Sequence, residues 1–251
     1  MTYGFIEKPG LPQGRVTAAI IGAKYSSYIH SLEEIRIKSI LMPSNPDISS
    51  NISFHADMSI IHFGNEVFFK TESSSFKPEI MHKYSACMHI VDKCGINYPE
   101  DVRTNACLIG RYLFCNEKGT SKSIIDYAEN RGCKIAFVKQ GYVKCSICVL
   151  DEKHIITDDR SIESAAEKNG FDVLRYDGKE IRLDGYDRGF IGGTCGKVSE
   201  SEIVFTGRFK TDEIERYAND NGISVKYLSD DAPYDVGSII PIIEEKTDKD
   251  S

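Results

Sequence analysis

An amphipathic helix, a terminating glycine, a short apolar strand and then an extended pair recur along this chain at intervals of roughly 35–50 residues, a period that forces each copy to bury its apolar face against its neighbours. The clearest copies begin at Ser121, Ser161 and Thr211, each a candidate N-cap before the runs Ile124-Ile125-Asp126-Tyr127-Ala128, Ile162-Glu163-Ser164-Ala165-Ala166 and Ile214-Glu215-Arg216-Tyr217-Ala218. The runs stop at Gly132, Gly170 and Gly222, where a helix needs a left-handed C′ residue. Strands are expected immediately afterwards, over 134–139, 171–176 and 223–228.

Hairpins follow the same logic: 143–150 with 154–157, 190–198 with 203–206, 104–109 with 112–116 around Gly110-Arg111, and 54–63 with 66–70 around Gly64-Asn65. Toward the N-terminus, 26–35 reads as a helix with Ser31 and Glu34 at capping-box spacing, 37–42 as its strand, and 77–94 as a helix and a short strand. Five units result, about 23–70, 76–118, 120–159, 161–209 and 211–243. The last ends in an apolar strand, 236–243, with no returning partner, and 16–22 is an unpaired apolar run, so the two ends of the chain are expected to pair and close a ring. Residues 246–251 are charged and expected to fray.

A closed α/β assembly of 251 residues is compatible with one domain, 1–251, and the Ser-rich stretches 45–53 and 71–75 are short enough to be loops between units. The formal net charge is −7 and the basic residues form no stripe, which disfavours nucleic acid as a partner. No apolar run approaches the ~20 residues of a membrane span, and residues 1–14 lack a signal-peptide core, so a cytoplasmic protein without membrane contact is expected. Most of the eight cysteines fall in expected strands or helix ends and read as reduced, buried thiols. Cys145 and Cys148 have redox or zinc spacing, but a strand would turn them to opposite faces and no second pair exists; no metal and no cofactor is expected.

Five such units, with Gly192-Gly193-Thr194-Cys195 in the first strand of a late copy, resemble the pentein fold of the guanidino-group-modifying enzymes: arginine and agmatine deiminases, dimethylargininases and amidinotransferases. The resemblance implies an α/β propeller of five pseudo-symmetric ββαβ-like units around a central channel lined by each unit's first strand. It is nearest to a bacterial branch with a degenerate catalytic set. In the catalytic members a cysteine attacks the guanidinium carbon, a histidine moves the proton, and carboxylates grip the nitrogens. A delocalised, weakly electrophilic guanidinium needs that combination.

Carried over residue by residue, Cys195 matches the nucleophile, with Gly193 and Thr194 beside it, and Asp57 matches the second acid of the family's Glu-Asp pair, Ala56 standing where the first would be. The family's Gly-His-Val-Asp is here Gly141-Tyr142-Val143-Lys144, so Tyr142 replaces the histidine and Lys144 the acid, while Asp101-Val102-Arg103-Thr104-Asn105 replaces an acid-rich stretch. Arg103 and Lys144 at channel positions would favour an anionic ligand and could depress the Cys195 thiol; alternatively they neutralise Asp57 and Asp235. His55, two residues before Asp57, shares its face on a strand and is the one substitute histidine. Two functions follow. One is a channel that binds a small ligand, anionic if Arg103 and Lys144 set its charge, without standard deiminase activity. The other is a cysteine-dependent hydrolase or amidinotransferase-like enzyme using Cys195 with His55, Asp57 and Asn105. The oligomeric state is left open.

Overall fold

Five small sheets surround a common axis in the computed structural model, which describes residues 2–70, 79–91 and 95–246. The first has the strand order β1 (Thr2–Phe5), β16 (Ile240–Lys246), β2 (Val16–Gly22), β3 (Lys38–Met42). The others are β4 (Ile60–Phe63), β5 (Glu66–Lys70), β6 (Cys87–Val91); β7 (Cys107–Ile109), β8 (Tyr112–Asn116), β9 (Lys134–Val138); β10 (Ile147–Val149), β11 (His154–Thr157), β12 (Asp172–Arg175); and β13 (Cys195–Ser199), β14 (Glu202–Phe205), β15 (Ser224–Tyr227). In each, an antiparallel pair is extended by a parallel strand. A parallel link needs a crossover, supplied in turn by α1 (Ser26–Glu34), α2 (Glu79–Lys83), α3 (Lys122–Asn130), α4 (Arg160–Lys168) and α5 (Glu213–Asp220).

In the first sheet the antiparallel pair is made by opposite ends of the chain: β16 pairs β2, with Ile240 opposite Ile20, and β1 pairs the other edge of β16, with Phe5 opposite Ile243. The expected closure of the termini is therefore present. The sheets group the elements one hairpin out of phase with the units read from sequence, because each hairpin bonds the strand that follows it through a helix and not the one before. Chain order reveals the elements; hydrogen bonding decides which belong together.

Gly132, Gly170 and Gly222 sit past the helix ends at φ 76°, 83° and 75°, with nothing within 4 Å of an added Cβ, so backbone conformation alone demands glycine there. Each of these helices buries an i, i+4 pair: Ile124 and Ala128, Ile162 and Ala166, Ile214 and Ala218. The caps differ in part from expectation. Ser121 stands at the N-cap position of α3, but α4 is capped by Asp159, whose carboxylate accepts from the backbone N–H of Ser161 and Ile162, and Asp212 stands at the N-cap position of α5. Ser31 lies inside α1 and its hydroxyl is within reach of Ser27 O and Leu228 O, so it forms no capping box.

The expected first strands are shorter in the structure. Residues Ala56–Met58 and Ile191–Thr194 form 3-10 turns, and 143–146 are turn, so the ladders begin only at Ile60, Cys195 and Ile147. Near the axis, backbone groups bond other units instead of a strand partner: Asp57 N to Gly237 O (3.2 Å), Gly193 N to Cys145 O (3.0 Å) and Lys144 N to Asn105 Oδ1 (2.7 Å). The first strands nevertheless enclose the axis. Ile60, Leu108, Val149, Gly196 and Ile240, one from each, line a cavity of about 50 Å³. The expected loop 71–75, the ends of the 77–94 segment and the tail beyond residue 246 lie outside the described residues. Among the described residues no helix is long and apolar enough to cross a membrane.

Candidate functional site

The five turns that precede the innermost strands come together at one mouth of the ring, and they carry a cluster of buried polar residues. Asp57 is 1 % exposed on the turn before β4. Its Oδ2 accepts from the Ser238 hydroxyl at 2.6 Å and from the Cys145 thiol at 3.1 Å. Asn105, on the turn before β7, donates from Nδ2 to Cys145 Sγ at 3.1 Å while its Oδ1 accepts from the backbone N–H of Lys144 at 2.7 Å. One amide thus aims a thiol at a carboxylate two units away. Lys144 Nζ reaches the Ser238 hydroxyl at 3.3 Å.

His55 packs behind Asp57 with its Nδ1 3.8 Å from Asp235 Oδ1. Asp235 is itself held by the backbone N–H of Phe190 and of Gly237, both at 2.9 Å. An added Cβ on Gly193 would lie 1.9 Å from Asp235 Oδ1, and one on Gly237 only 2.3 Å from His55 Cα. Both glycines let these units close on one another. Gly237 and Ser238 have left-handed φ of 72° and 68° in succession, a conformation that costs a serine about 1–2 kcal/mol and is maintained only where surrounding bonds over-determine it. Here the bonds from Ser238 N to Gly193 O (3.1 Å) and from Ser238 Oγ to Asp57 do so.

Electrostatically the mouth is a buried cluster of two acids, thiols and one ammonium. Burial pushes the Asp57 carboxyl up, with His55 partly opposing it, and pushes Asp235 up to about 6. Burial likewise drives the Cys145 thiol well up, and the Asp57 and Asp235 charges add to the shift. It pulls His55 down to about 4, so the imidazole is neutral. For Lys144, burial works against the charge, but the pull of Cys107, Cys195, Asp57 and Cys145 outweighs it and the ammonium is stabilised. Two buried atoms in this cluster have no hydrogen-bond partner, His55 Nε2 and Asp57 Oδ1.

The residues singled out in the sequence are distributed unevenly over this geometry. Asp57, His55, Asn105, Lys144 and Asp235 converge, with Gly193 packed against Asp235. His55 reaches Asp57 through a turn and not along a shared strand face. Thr194 is buried and bonds Ile191 O at 2.7 Å, fixing its own turn. Tyr142 donates to Asp101 Oδ2 at 2.7 Å and stacks on Phe190 at the rim. Arg103 turns outward to Lys118 O and Gly119 O, both at 3.4 Å, and contributes no charge to the cluster. Cys195 begins β13 on the wall of the axial cavity, its thiol 3.7 Å from Gly192 O and beside Cys148. Its pKa is lowered by the Cys148 hydrogen bond first and by Lys144 next, against the upward push of burial.

Two residues of the cluster were not read as such in the sequence, Cys145 and Ser238. The strand reading of 143–150 alternates side chains; the turn that forms instead sends Cys145 to the polar mouth, whereas Cys148 joins an apolar cluster with Cys195. The available signal was positional. Both residues stand just before an innermost strand, as Asp57 does.

Five sheets of this topology about one axis, with their preceding turns gathered at one mouth, define the pentein fold. The chain is similar in structure to an amidinotransferase of the saxitoxin biosynthetic pathway from Microseira wollei, at 10 % identity and TM-score 0.57 over 90 % of each chain. It is similar also to DDAH from Pseudomonas aeruginosa in complex with citrulline, at 11 % identity and TM-score 0.54 over 85 % of this chain and 92 % of that one. A third likeness is to agmatine deiminase from C. jejuni, at 10 % identity and TM-score 0.54 over 91 % of each. Within this fold the chain belongs to DUF6873, a family of unknown function that matches residues 20–240. No curated protein matches it in sequence.

Proposed function

We propose that this protein is a thiol-dependent enzyme acting on a C–N bond of a small amidine- or guanidine-like cation, with Cys145 as the nucleophile. The observation that carries the reading is the pair of partnerless buried atoms, His55 Nε2 and Asp57 Oδ1, beside a thiol held by Asn105 and Asp57. With the Nδ1 of His55 turned to Asp235, its Nε2 presents a lone pair, as Asp57 Oδ1 does. Two acceptors left unpaired in a buried site call for a ligand with two N–H donors, and the nearby Asp235 favours one that is positively charged. Of the two cations that would favour an anionic ligand, Arg103 turns outward, and Lys144, which stays, lies between the acids and the thiols that stabilise its charge.

The chemistry follows from the contacts. Cys145 gives its proton to Asp57 Oδ2, and the bound cation stabilises the resulting thiolate. Sulfur adds to the central carbon as a C=N electron pair moves onto nitrogen. The departing amine takes the proton from Asp57 as its C–N bond breaks. Water then replaces sulfur in a hydrolase, or a second amine in a transferase, and the thiol is restored. Deiminases, dimethylargininases and amidinotransferases share this fold, which supports the substrate class as analogy.

The test compares alkylation of Cys145 by chloroacetamidine, a cation, with that by the neutral chloroacetamide, read by peptide mass spectrometry with Cys145→Ser and Cys195→Ser as controls. Unit charges ~4 Å apart at an effective dielectric of ~20 attract by about 4 kcal/mol, so a preference of at least ~10-fold for the cation, lost in Asp57→Asn, is expected. Equal rates would refute the cationic site. The closure of the mouth, with Asp57 and Cys145 at 1 % and 2 % exposure, favours a second reading as a binding protein without catalysis, and absence of native labelling by either reagent would select it.

A further inference from the structure

We infer that His55, Asp57 and Cys145 also form a site for a soft divalent transition metal, zinc or cobalt(II), which competes with the cationic substrate for the same three side chains. One ligand atom from each lies within 4.8 Å of the others, and all three residues are buried. An imidazole, a carboxylate and a thiolate together select zinc-like ions over magnesium or calcium, which prefer oxygen alone. Three protein ligands leave one position of a tetrahedral ion for water or another donor.

The surroundings are those a metal ligand set requires. His55 Nε2 and Asp57 Oδ1 lack any hydrogen-bond partner, so binding would break no bond to either atom. The opposite ring nitrogen of His55 is turned to Asp235, whose backbone hydrogen-bonds the imidazole and whose carboxylate stands 3.8 Å away, so Nε2 is the nitrogen left for a metal. Ser238 donates to the other oxygen of Asp57 at 2.6 Å, and Asn105 Nδ2 donates to the sulfur at 3.1 Å. Charge closes as well. A divalent ion, the Asp57 carboxylate and the Cys145 thiolate sum to zero, with the Cys145 proton released to solvent, which relieves the isolated buried charge that otherwise opposes ionisation here.

The inference uses the side chains of the proposed enzyme site but does not depend on that site being catalytic, since its probe is the metal alone. Chelator-treated protein is titrated with cobalt(II) in a Cys87→Ser background, which removes the second group, Glu66, exposed Cys87 and His89, from the reading. A sulfur-to-cobalt charge-transfer band saturating at one ion per chain, displaced by zinc, is expected. Cys145→Ser should abolish it, and Ser238→Ala should weaken cobalt binding by ~10–100-fold, the usual effect of losing a group that orients a ligand. Circular dichroism checks that each variant is folded. As a readout needing no variant at the site, zinc should protect Cys145 from chloroacetamide, and EDTA should reverse the protection. Absence of the band, its survival in folded Cys145→Ser, or, where chloroacetamide labels the metal-free thiol, alkylation unchanged by zinc would each overturn the inference. None of these results decides whether the metal-free thiol prefers a cationic electrophile.

Discussion

Replacing Gly193 by alanine tests how the mouth is assembled. Gly193 does not have a left-handed φ, so the substitution carries no backbone penalty of that kind. Its cost is steric. The new Cβ would lie 1.9 Å from Asp235 Oδ1 and 2.3 Å from its Cγ, and the three nearest atoms all belong to Asp235. The carboxylate must leave its place and give up the bonds from Phe190 N and Gly237 N. Hydrogen bonds to a charged group contribute about 1.5–3 kcal/mol each, so a loss of about 3–6 kcal/mol is expected. For a chain of this size that corresponds to a fall in Tm of roughly 6–24 °C. The decisive assay is a double-mutant cycle by urea denaturation. In Asp235→Ala the obstruction is gone, and a further Gly193→Ala should cost no more than about 1 kcal/mol, a coupling of several kcal/mol. If the two losses simply add, within about 0.5 kcal/mol, the contact between these units does not depend on the carboxylate filling the glycine's empty side, and the reasoning fails.

Two further predictions concern pH. His62 is buried beside the axial cavity, and burial lowers its pKa to about 4. Its folded pKa lies below the unfolded value, so protons bind preferentially to the unfolded chain: the stability it allows is present above pH ~6.5 and falls by about 3 kcal/mol as pH drops from 7 to 4, a slope that His62→Gln should flatten in urea titrations. Asp158 behaves oppositely. Burial, only partly offset by Arg188, raises its carboxyl to about 6. Here the folded state holds the proton more tightly, so stability falls as pH rises from about 4 to 6, and Asp158→Asn should be more favourable by about 2 kcal/mol at pH 7 than at pH 4. An Asp158→Asn effect independent of pH would show that the acid is not desolvated in the native state.

The local features of the fold were legible because each depends on a few consecutive residues. The periodic pair Ile162 and Ala166, and the left-handed glycine at Gly170, follow from helix geometry and from the absence of a side chain. Asp57 could be placed near the channel from the apolar run beside it. The pairing of β2 with β16 could also be anticipated, since each was an apolar run without a partner.

What only the tertiary structure decided is which thiol meets the acid. The strand reading of 143–150 put Cys145 in a ladder, whereas Asn105, some 40 positions earlier, captures the backbone N–H of Lys144 and the sulfur of Cys145 and holds a turn there. A turn and a strand rotate successive side chains by different angles, so the same residues face different spaces. The outward turn of Arg103 toward Lys118 O and Gly119 O, and the hydroxyl of Ser238 between Asp57 and Lys144, are likewise settled by contacts between units. Sequence by itself determined the repeat, the glycines that end its helices and the closure of the ring, because propensity and hydrophobic period act along the chain. Ring closure decided the site, because its members come from five separate turns and meet only when all the units are in place.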